Sequence, residues 1–273
     1  MLAVSRTRKR VVSAIDWEQA GRGWGARARD WAYLFEHYAR PANEIVFDRV
    51  GVGSDTRLLD IACGSGLAAQ TAHRRGATVT GLDASEALIE IARRRTPSSD
   101  FRVGDMFALP FADHSFDVVT TFNGIWKGCE GALEEARRAL IDGGRFGMTF
   151  WGDFARLGLM PYFLKIIELS PSSHQAATTE QGGTSSAIEN MLAATGFRID
   201  EIGTVEVVNE WPDVALAVRA MAAAGPAVPA IDAVGYDAFC AALTEVISPL
   251  DDPEVGVRIS SELGWLTATP IRP

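Results

Sequence analysis

The sequence has few residues that could build covalent or metal cross-links. Its 3 cysteines, Cys63, Cys129 and Cys240, are too scattered for a disulfide framework or a paired zinc site. Its 4 histidines also lack the close spacing of metal ligands. These absences predict a protein with no structural metal, working in a reducing compartment, and we expect it in the cytoplasm.

Long apolar runs and an excess of positive charge are also missing. No apolar stretch reaches the roughly 18 residues that a membrane-spanning helix needs. The net charge of −9 argues against a broad basic surface for nucleic acid. The first ten residues carry four positive charges, and residues 1–15 predict a disordered basic tail without the apolar core of a secretory signal.

What the sequence does have is a hydrophobic fraction of 47%, enough to bury a sizeable core. Between residues 55 and 152, short apolar strands alternate with amphipathic helices. Strands and helices that alternate in this way indicate a parallel sheet covered on both faces. We therefore predict an α/β fold of the Rossmann-like kind, with further strands at 198–211 and 255–270.

Residues 16–50 precede the alternation and predict a helical lid. Aromatic residues recur there at roughly helical spacing, from Trp17 to Tyr38. A break into two helices is expected at three closely spaced glycines, Gly21, Gly23 and Gly25. Pro41 predicts a second interruption before another helix.

Two segments after the alternation predict a cover over the substrate. Residues 153–183 and 212–250 contain helical stretches rich in Phe, Leu, Met and Ala. They indicate an acceptor pocket with apolar or aromatic walls, although ordinary packing on the sheet explains them equally well. With the lid and the alternating core, they would make residues 16–273 a single domain.

The stretch LLDIACGSGLAA, residues 58–69, combines a strand, Asp60 and a glycine loop. Gly64 and Gly66 let the backbone turn tightly and let a ligand approach with no Cβ in the way. A loop at the carboxyl end of a strand lies where open α/β sheets bind ligands. The next strand ends at Asp83, whose carboxylate can accept both hydroxyls of an adenosine ribose. These features suit a dinucleotide as well as S-adenosylmethionine.

Three further features separate these two cofactors. In GDMFALPF, Asp105 ends the third strand, where it can accept an adenine amino proton, with Met106 beside the ring. A carboxylate at Asp60 would be unfavourable next to a pyrophosphate. No lysine lies four residues after a tyrosine, so the proton donor of short-chain dehydrogenases is missing. The balance favours S-adenosylmethionine, and a nicotinamide-dependent oxidoreductase is the alternative.

Four segments in order resemble the motifs of class I S-adenosylmethionine-dependent methyltransferases: LLDIACGSG, VTGLDASEALIEIAR, VGDMFALPFADHSFDVVTT and GGRFGMTFWG. The resemblance covers about residues 55–152 and is nearest to the small-molecule branch that includes ubiquinone-type methyltransferases. It implies a seven-stranded, mostly parallel sheet whose last strand, VGVRISSELGWLTATP, is antiparallel. It also implies methyl transfer to a small molecule, with S-adenosylhomocysteine as product. A non-catalytic S-adenosylmethionine-binding protein is a further alternative.

The resemblance also implies a role for individual residues. The methionine end of the cofactor would face Asp60 and the backbone of Ala62, Gly64 and Gly66. Asp83 would hold the ribose hydroxyls.

At the other end of the cofactor, Ala84 would lie beside the adenine, and Asp105 and Met106 would bind it. Asn123 would lie beside the methionine amino group and the sulfonium. Members of the family often place an aromatic residue of the N-terminal helices over the cofactor, and Trp24 and Trp31 are candidates here.

The chemistry requires little more than positioning of the nucleophile in line with the methyl group. Trp126 lies in the right segment to present an aromatic face to the cationic sulfur. If the acceptor needs a base, the candidates are His37, His114 and His174, although an exposed or satisfied histidine is the commoner case. We assign no catalytic residue, and we expect a monomer or a homodimer.

Overall fold

The computed structural model describes residues 16–172 and 185–271. The predicted basic tail, His174 and part of the predicted cover lie outside these residues. The main sheet has seven strands, which we number along the chain: β1 Arg57–Ile61, β2 Thr78–Asp83, β3 Asp100–Val103, β4 Phe116–Phe122, β5 Leu140–Trp151, β6 Phe197–Trp211 and β7 Gly256–Pro270. A two-residue strand, Asp251–Asp252, also pairs with β7.

Helices surround this sheet and are numbered in the same way: α1 Trp17–Gly25, α2 Arg40–Val50, α3 Leu67–Arg74, α4 Glu86–Arg95, α5 Glu130–Ala139, α6 Met160–Leu169, α7 Ser185–Ala194, α8 Val214–Met221, α9 Val228–Val234 and α10 Tyr236–Ile247. Between α1 and α2 the chain is helical but irregular, with a π-helical turn at Trp31–Phe35 and a 3₁₀ turn at Glu36–Ala39.

The strand order is β3-β2-β1-β4-β5-β7-β6. Neighbours from β3 to β5 are parallel, whereas β7 is antiparallel to both β5 and β6. The predicted seven-stranded, mostly parallel sheet with an antiparallel last strand is therefore confirmed.

Helices cover both faces of the sheet. Neighbouring residues of a strand point to opposite faces, so one strand contributes apolar side chains to both. On β1, Leu58 packs into a cluster with Ala69 of α3 and Ile89 of α4. Leu59 packs on the other face, in a cluster with Leu133 of α5. Burial on both faces leaves the carboxyl edge of the sheet as the place where loops and polar side chains can meet a ligand.

β6 and β7 continue past the sheet as a two-stranded ribbon. β5 ends opposite Leu263, but β7 pairs with β6 as far as Val257, which lies opposite Trp211. The predicted cover helices, seen here as α6 and α8–α10, pack on this ribbon through residues such as Tyr162 and Phe239.

Across the two described ranges no single helix is long and apolar enough to span a membrane, and one pair bent by 86°, Val214–Met221 with Gly225–Val234, qualifies by length and composition only.

The predicted break into two helices falls at the last of the three glycines, since α1 ends at Gly25 and a short helical turn, Ala28–Asp30, follows. α1 runs without interruption through Gly21 and Gly23, and Asp16 caps it by accepting from two backbone N–H groups. A Cβ at Gly21 would overlap the carbonyl oxygen of Ala84. The glycine therefore serves close packing of α1 on the β2–α4 connection, a role that local sequence cannot distinguish from helix breaking. Pro41 lies in the first turn of α2, so the further helix that it predicted begins there, after the 3₁₀ turn.

Candidate functional site

The candidate site lies at the carboxyl ends of β1, β2 and β4. Ala62 directly follows β1 and Asn123 directly follows β4, and both have a φ of 55°. This left-handed conformation is unfavourable for residues with a Cβ, and it concentrates at functional sites. β1 and β4 are hydrogen-bonded neighbours. The two strained residues therefore mark one place at the sheet edge.

Asp60 is buried at the end of β1 with only one of its two carboxylate oxygens bonded. Its side chain is 1% exposed, and its Oδ1 accepts from the Thr120 hydroxyl of β4 at 3.0 Å. The other oxygen, Oδ2, is buried and has no hydrogen-bond partner among the described residues. Burial raises the pKa of Asp60 to about 7, and the nearby charge of Asp83 adds to the rise. A cationic ligand group would satisfy the free oxygen and favour the ionised carboxylate.

Asp83 connects the end of β2 to the glycine loop. Its Oδ2 accepts from the backbone N–H of Gly64, and its Oδ1 from that of Ser85, each at 2.8 Å. Burial raises the pKa of Asp83, and these two hydrogen bonds oppose the rise. A carboxylate has about four lone-pair sites, so two remain for the hydroxyls of a ribose.

The two loop glycines have different structural roles. A Cβ at Gly66, where φ is +78°, would lie 2.8 Å from the Cβ of Ala92, so this glycine allows the loop to pack on α4. Gly64 has a φ of +55°, and a Cβ there would meet nothing within 4 Å. Space for a ligand therefore lies beside Gly64.

Asn123 connects the strained end of β4 to the lid. Its side-chain oxygen accepts from the Thr149 hydroxyl of β5 at 3.3 Å, and its Nδ2 donates to the hydroxyl of Tyr38 at 3.4 Å. Burial raises the pKa of Tyr38, which keeps the phenol protonated at neutral pH. Tyr38 was not among the predicted site residues, because its place in a helical aromatic pattern equally suits core packing.

From Tyr38, a row of aromatic side chains continues into the cover. Tyr38 stacks on Trp151 at the end of β5, with ring centroids 5.8 Å apart and planes inclined by 14°. Trp151 in turn meets the edge of Phe163 of α6 at 5.7 Å. We call these three residues the aromatic row. It leads from the polar sheet edge to the helices that were predicted to cover a substrate.

The predicted adenine-binding residues lie at the ends of β2 and β3. Asp105 Oδ1 accepts from the backbone N–H of Phe107 at 2.9 Å, which stabilises the turn after β3. Met106 packs partly buried against the core on the α5 face of the sheet. Ala84 lies under Gly21, so α1 passes over the end of the site assigned to adenosine.

The tryptophan candidates occupy different places. Trp24 packs on Gly225 and meets Trp31 edge-on at 4.9 Å, and it lines a groove of about 550 Å³ between α1 and α9. The structure thus places it against the cover, and its contact with a cofactor stays a prediction. Trp126, after β4, has a buried Nε1 with no partner among the described residues, so it can still donate to a ligand.

These residues fit S-adenosylmethionine. The unpartnered oxygen of Asp60 suits the cofactor's ammonium group, Asp83 has acceptor capacity for a ribose, and Gly64 leaves space for the methionine portion. A pyrophosphate would instead bring negative charge towards two buried carboxylates.

Comparison with known proteins supports the same conclusion. Residues 59–148 match a family described as a methyltransferase domain. Over 103 residues the chain is 40% identical to the demethylmenaquinone methyltransferase of Renibacterium salmoninarum, an alignment that covers 37% of this chain and 44% of that protein. The chain thus spans less than half the length of this relative.

This segment is thus similar to a methyltransferase domain, which supports a class I S-adenosylmethionine-dependent methyltransferase.

Solved structures show the same fold. Geranyl diphosphate C-methyltransferase from Streptomyces coelicolor, in complex with Mg²⁺, geranyl diphosphate and S-adenosylhomocysteine, has a TM-score of 0.56 at 15% identity, covering 94% of this chain and 99% of that one. The [4+2]-cyclase SpnF has a TM-score of 0.61 at 19% identity, covering 94% and 97%. At such identities the similarity concerns the methyltransferase fold alone.

Two histidines can be placed relative to this methyltransferase site. The prediction of His114 as a base is wrong, because this exposed residue lies two positions before β4, at the opposite edge of the sheet from the glycine loop. His37 is next to Tyr38 in the lid, with an exposed ring. Partial desolvation and the charges of Arg40 and Arg95 lower its pKa. It is therefore neutral near pH 7 and stays a candidate base.

Proposed function

We propose that this protein is a cytoplasmic methyltransferase that moves the methyl group of S-adenosylmethionine onto a small apolar or aromatic acceptor. The observation that carries the proposal is that Asp60, with one unpartnered carboxylate oxygen, and Asn123, which contacts Tyr38 of the aromatic row, lie at the ends of the neighbouring strands β1 and β4. An anion suits the cofactor's ammonium group, and aromatic faces suit a sulfonium and an apolar acceptor.

On the cofactor side, the chain's task is to bind and orient. Asp60 would pair with the ammonium group, Asp83 would accept from the ribose, and Asp105 with Met106 would hold the adenine. Bound S-adenosylmethionine would supply a methyl group on a sulfonium. The acceptor's nucleophile would attack the methyl carbon in line, and S-adenosylhomocysteine would leave. α1 would exclude water at the adenosine end, because it packs directly on Ala84.

On the acceptor side, Tyr38, Trp151 and Phe163 would form the wall against which an aromatic ring lies. Holding the nucleophile against this wall, in line with the methyl group, can supply much of the rate acceleration. The curated relative methylates, by its name, a demethylmenaquinone. This supports a quinone-like acceptor, reduced to the quinol so that it carries a nucleophile.

Calorimetry with S-adenosylhomocysteine and, separately, with NADH tests the cofactor. We expect binding of S-adenosylhomocysteine and none of NADH. Binding of NADH alone would instead favour a nicotinamide-dependent oxidoreductase on a similar sheet.

Transfer of a labelled methyl group from S-adenosylmethionine to a panel of acceptors then tests the activity. We expect a demethylated quinol analogue and simple phenols to accept the label, and a hydrophilic amino acid not to. Tight S-adenosylhomocysteine binding without transfer to any acceptor would favour a non-catalytic binding protein. The fold allows other chemistry, since a [4+2]-cyclase also has it.

A further inference from the structure

Three residues from distant parts of the chain form a buried polar cluster behind the glycine loop. Arg95, at the end of α4, donates to the Ser65 hydroxyl at 2.6 Å and to the Glu36 carboxylate of the lid. The Ser65 hydroxyl donates to the same carboxylate. Arg95 also donates to the backbone carbonyls of Ala32, at 2.7 Å, and of Ser65, at 3.3 Å. We call Glu36, Ser65 and Arg95 the Glu36 cluster.

The charges of this cluster depend on one another. Glu36 is 6% exposed, Ser65 is fully buried and the Arg95 side chain is 11% exposed. Burial raises the pKa of Glu36, and the guanidinium of Arg95 opposes the rise. A buried carboxylate that loses its cation is strongly unfavourable. We therefore expect the lid to hold Glu36 in this buried position only while the Arg95 guanidinium pairs with its carboxylate.

Ser65 connects the cluster to the cofactor loop. Its neighbour Gly64 donates its N–H to Asp83 at 2.8 Å, and space lies beside Gly64. The loop is thus held at two successive residues, by Asp83 at Gly64 and by the cluster at Ser65. Both attachments restrain the backbone next to the space that a ligand would use.

We propose that Glu36, Ser65 and Arg95 are positioning residues that hold the glycine loop in its cofactor-binding shape and connect it to the lid. This inference rests on the proposed function, since it concerns the site for S-adenosylmethionine. None of the three has to touch the cofactor, because they act through the backbone of Ser65. Glu36 is also two residues from Tyr38, so the same contacts set the place of the aromatic row.

Three variants separate the parts of the cluster. Ser65→Ala removes the hydroxyl that binds the loop to the cluster and leaves the Glu36–Arg95 pair. Arg95→Met removes the cation and all of its hydrogen bonds. Glu36→Gln removes the charge with little change of shape, and together with Ser65→Ala it keeps the test open if Arg95→Met does not fold.

Arg75→Met is the matched control. Arg75 is also bonded to two carboxylates, Glu44 and Asp48 of α2, and to the backbone carbonyl of Glu44. Its side chain is 22% exposed. It joins the lid to the far end of α3, away from the glycine loop, so its loss should destabilise the lid without altering the loop.

The test is calorimetric titration of the full chain with S-adenosylhomocysteine, well below the melting temperature of each variant. We expect Kd to rise by about ten-fold in Ser65→Ala and by more in Arg95→Met, the loss expected for charge-assisted hydrogen bonds. Because both variants act through one cluster, the double variant should bind no more weakly than Arg95→Met. Arg75→Met should lower the melting temperature and leave Kd within about two-fold of the unmodified chain.

Hydrogen exchange gives a second readout, which separates local loosening of the glycine loop from general destabilisation of the chain. The backbone amides of residues 62–66 should exchange faster in Ser65→Ala and at an unaltered rate in Arg75→Met. The proposal is overturned if Ser65→Ala leaves Kd unchanged, or if Arg95→Met and Arg75→Met raise Kd equally. If the unmodified chain does not bind S-adenosylhomocysteine, the proposed function fails first, and the positioning role fails with it.

Discussion

Asp60 shows how burial changes the chemistry of a single residue. Desolvation raises its pKa to about 7. The protonated carboxyl therefore contributes stability to the unliganded protein, which is fully present below pH 4 and is lost as the pH rises through 7. A bound ammonium group has the opposite effect, since it favours the charged carboxylate. Folding and cofactor binding therefore respond to pH in opposite directions at this residue.

Binding of S-adenosylhomocysteine should consequently strengthen as the pH rises. If only the ionised form of Asp60 binds well, affinity increases about ten-fold between pH 6 and pH 8. Asp60→Asn should bind weakly with a much flatter pH profile, and the part that remains should come from Asp83, whose pKa is also raised. Calorimetry across this pH range checks the prediction, and a flat profile for the unmodified chain would contradict it.

Asp83→Ala should weaken S-adenosylhomocysteine binding far more than His114→Ala. Losing charge-assisted hydrogen bonds to the ribose costs about 1.5–3 kcal/mol each, which is ten-fold or more in Kd. His114 lies at the opposite edge of the sheet, so its loss should leave Kd unchanged. Equal losses in a binding titration would show that the ribose is held elsewhere. Melting temperatures of both variants control for the bonds of Asp83 to Gly64 and Ser85.

At the scale of elements, α1 packs closely on its neighbours because two of its residues have no side chain. Gly21 lets the helix lie directly on Ala84, and Gly25 lets it approach the Ser85 side chain. Helix propensity alone would prefer alanine at such positions by about 1 kcal/mol. Close packing therefore overrides local preference along this face of α1.

Gly21→Ala and Gly23→Ala make a matched pair, because both lie within α1 and gain the same helix propensity. A Cβ at Gly21 would overlap the Ala84 carbonyl oxygen, whereas one at Gly23 would meet nothing within 4 Å. We expect Gly21→Ala to lower the melting temperature and to speed tryptic cleavage of the lid. Gly23→Ala should be neutral or stabilising by up to about 1 kcal/mol. A stabilised Gly21→Ala would mean that α1 does not dock on the β2–α4 connection.

At the scale of the whole molecule, the residues proposed for the cofactor and the helices proposed to cover the acceptor stand on different parts of the sheet. The residues proposed to hold the cofactor lie on the parallel core, while the cover helices pack on the ribbon of β6 and β7. The lid contacts both, since Arg95 reaches Ala32 and the Trp211 indole donates to the Leu34 carbonyl at 2.7 Å. Cofactor binding and acceptor binding should therefore be separable by mutation, except within the lid.

Phe163→Ala tests this separation. It shortens the aromatic row at its far end, so we expect turnover of an aromatic acceptor to fall at least several-fold while S-adenosylhomocysteine affinity stays unchanged. Leu164→Ala is the control, because its side chain is on the same helix and 57% exposed. Steady-state kinetics and calorimetry on both variants give the comparison. A parallel loss of cofactor affinity in Phe163→Ala would mean that cofactor binding and acceptor binding are not independent.

Short-range patterns were enough to predict the sheet and the candidate residues that meet at its carboxyl edge. Alternating strands and helices, a glycine loop after a strand, and acidic residues at successive strand ends are all local features. Parallel strands bring their carboxyl ends to one edge, so Asp60, Asp83 and Asp105 had to converge once the sheet formed.

Long-range packing decided the features that local sequence did not predict. The glycines of α1 predicted where this helix ends, but the close contact of Gly21 with Ala84 arises only in the folded chain. Tyr38, Glu36 and Arg95 have no distinguishing sequence signal, since their partners lie 29 to 85 positions away. His114 is excluded by a local feature instead, because its position before β4 places it at the amino edge of the sheet. Local sequence thus determines where a ligand can bind, and tertiary contacts determine which side chains hold and enclose it.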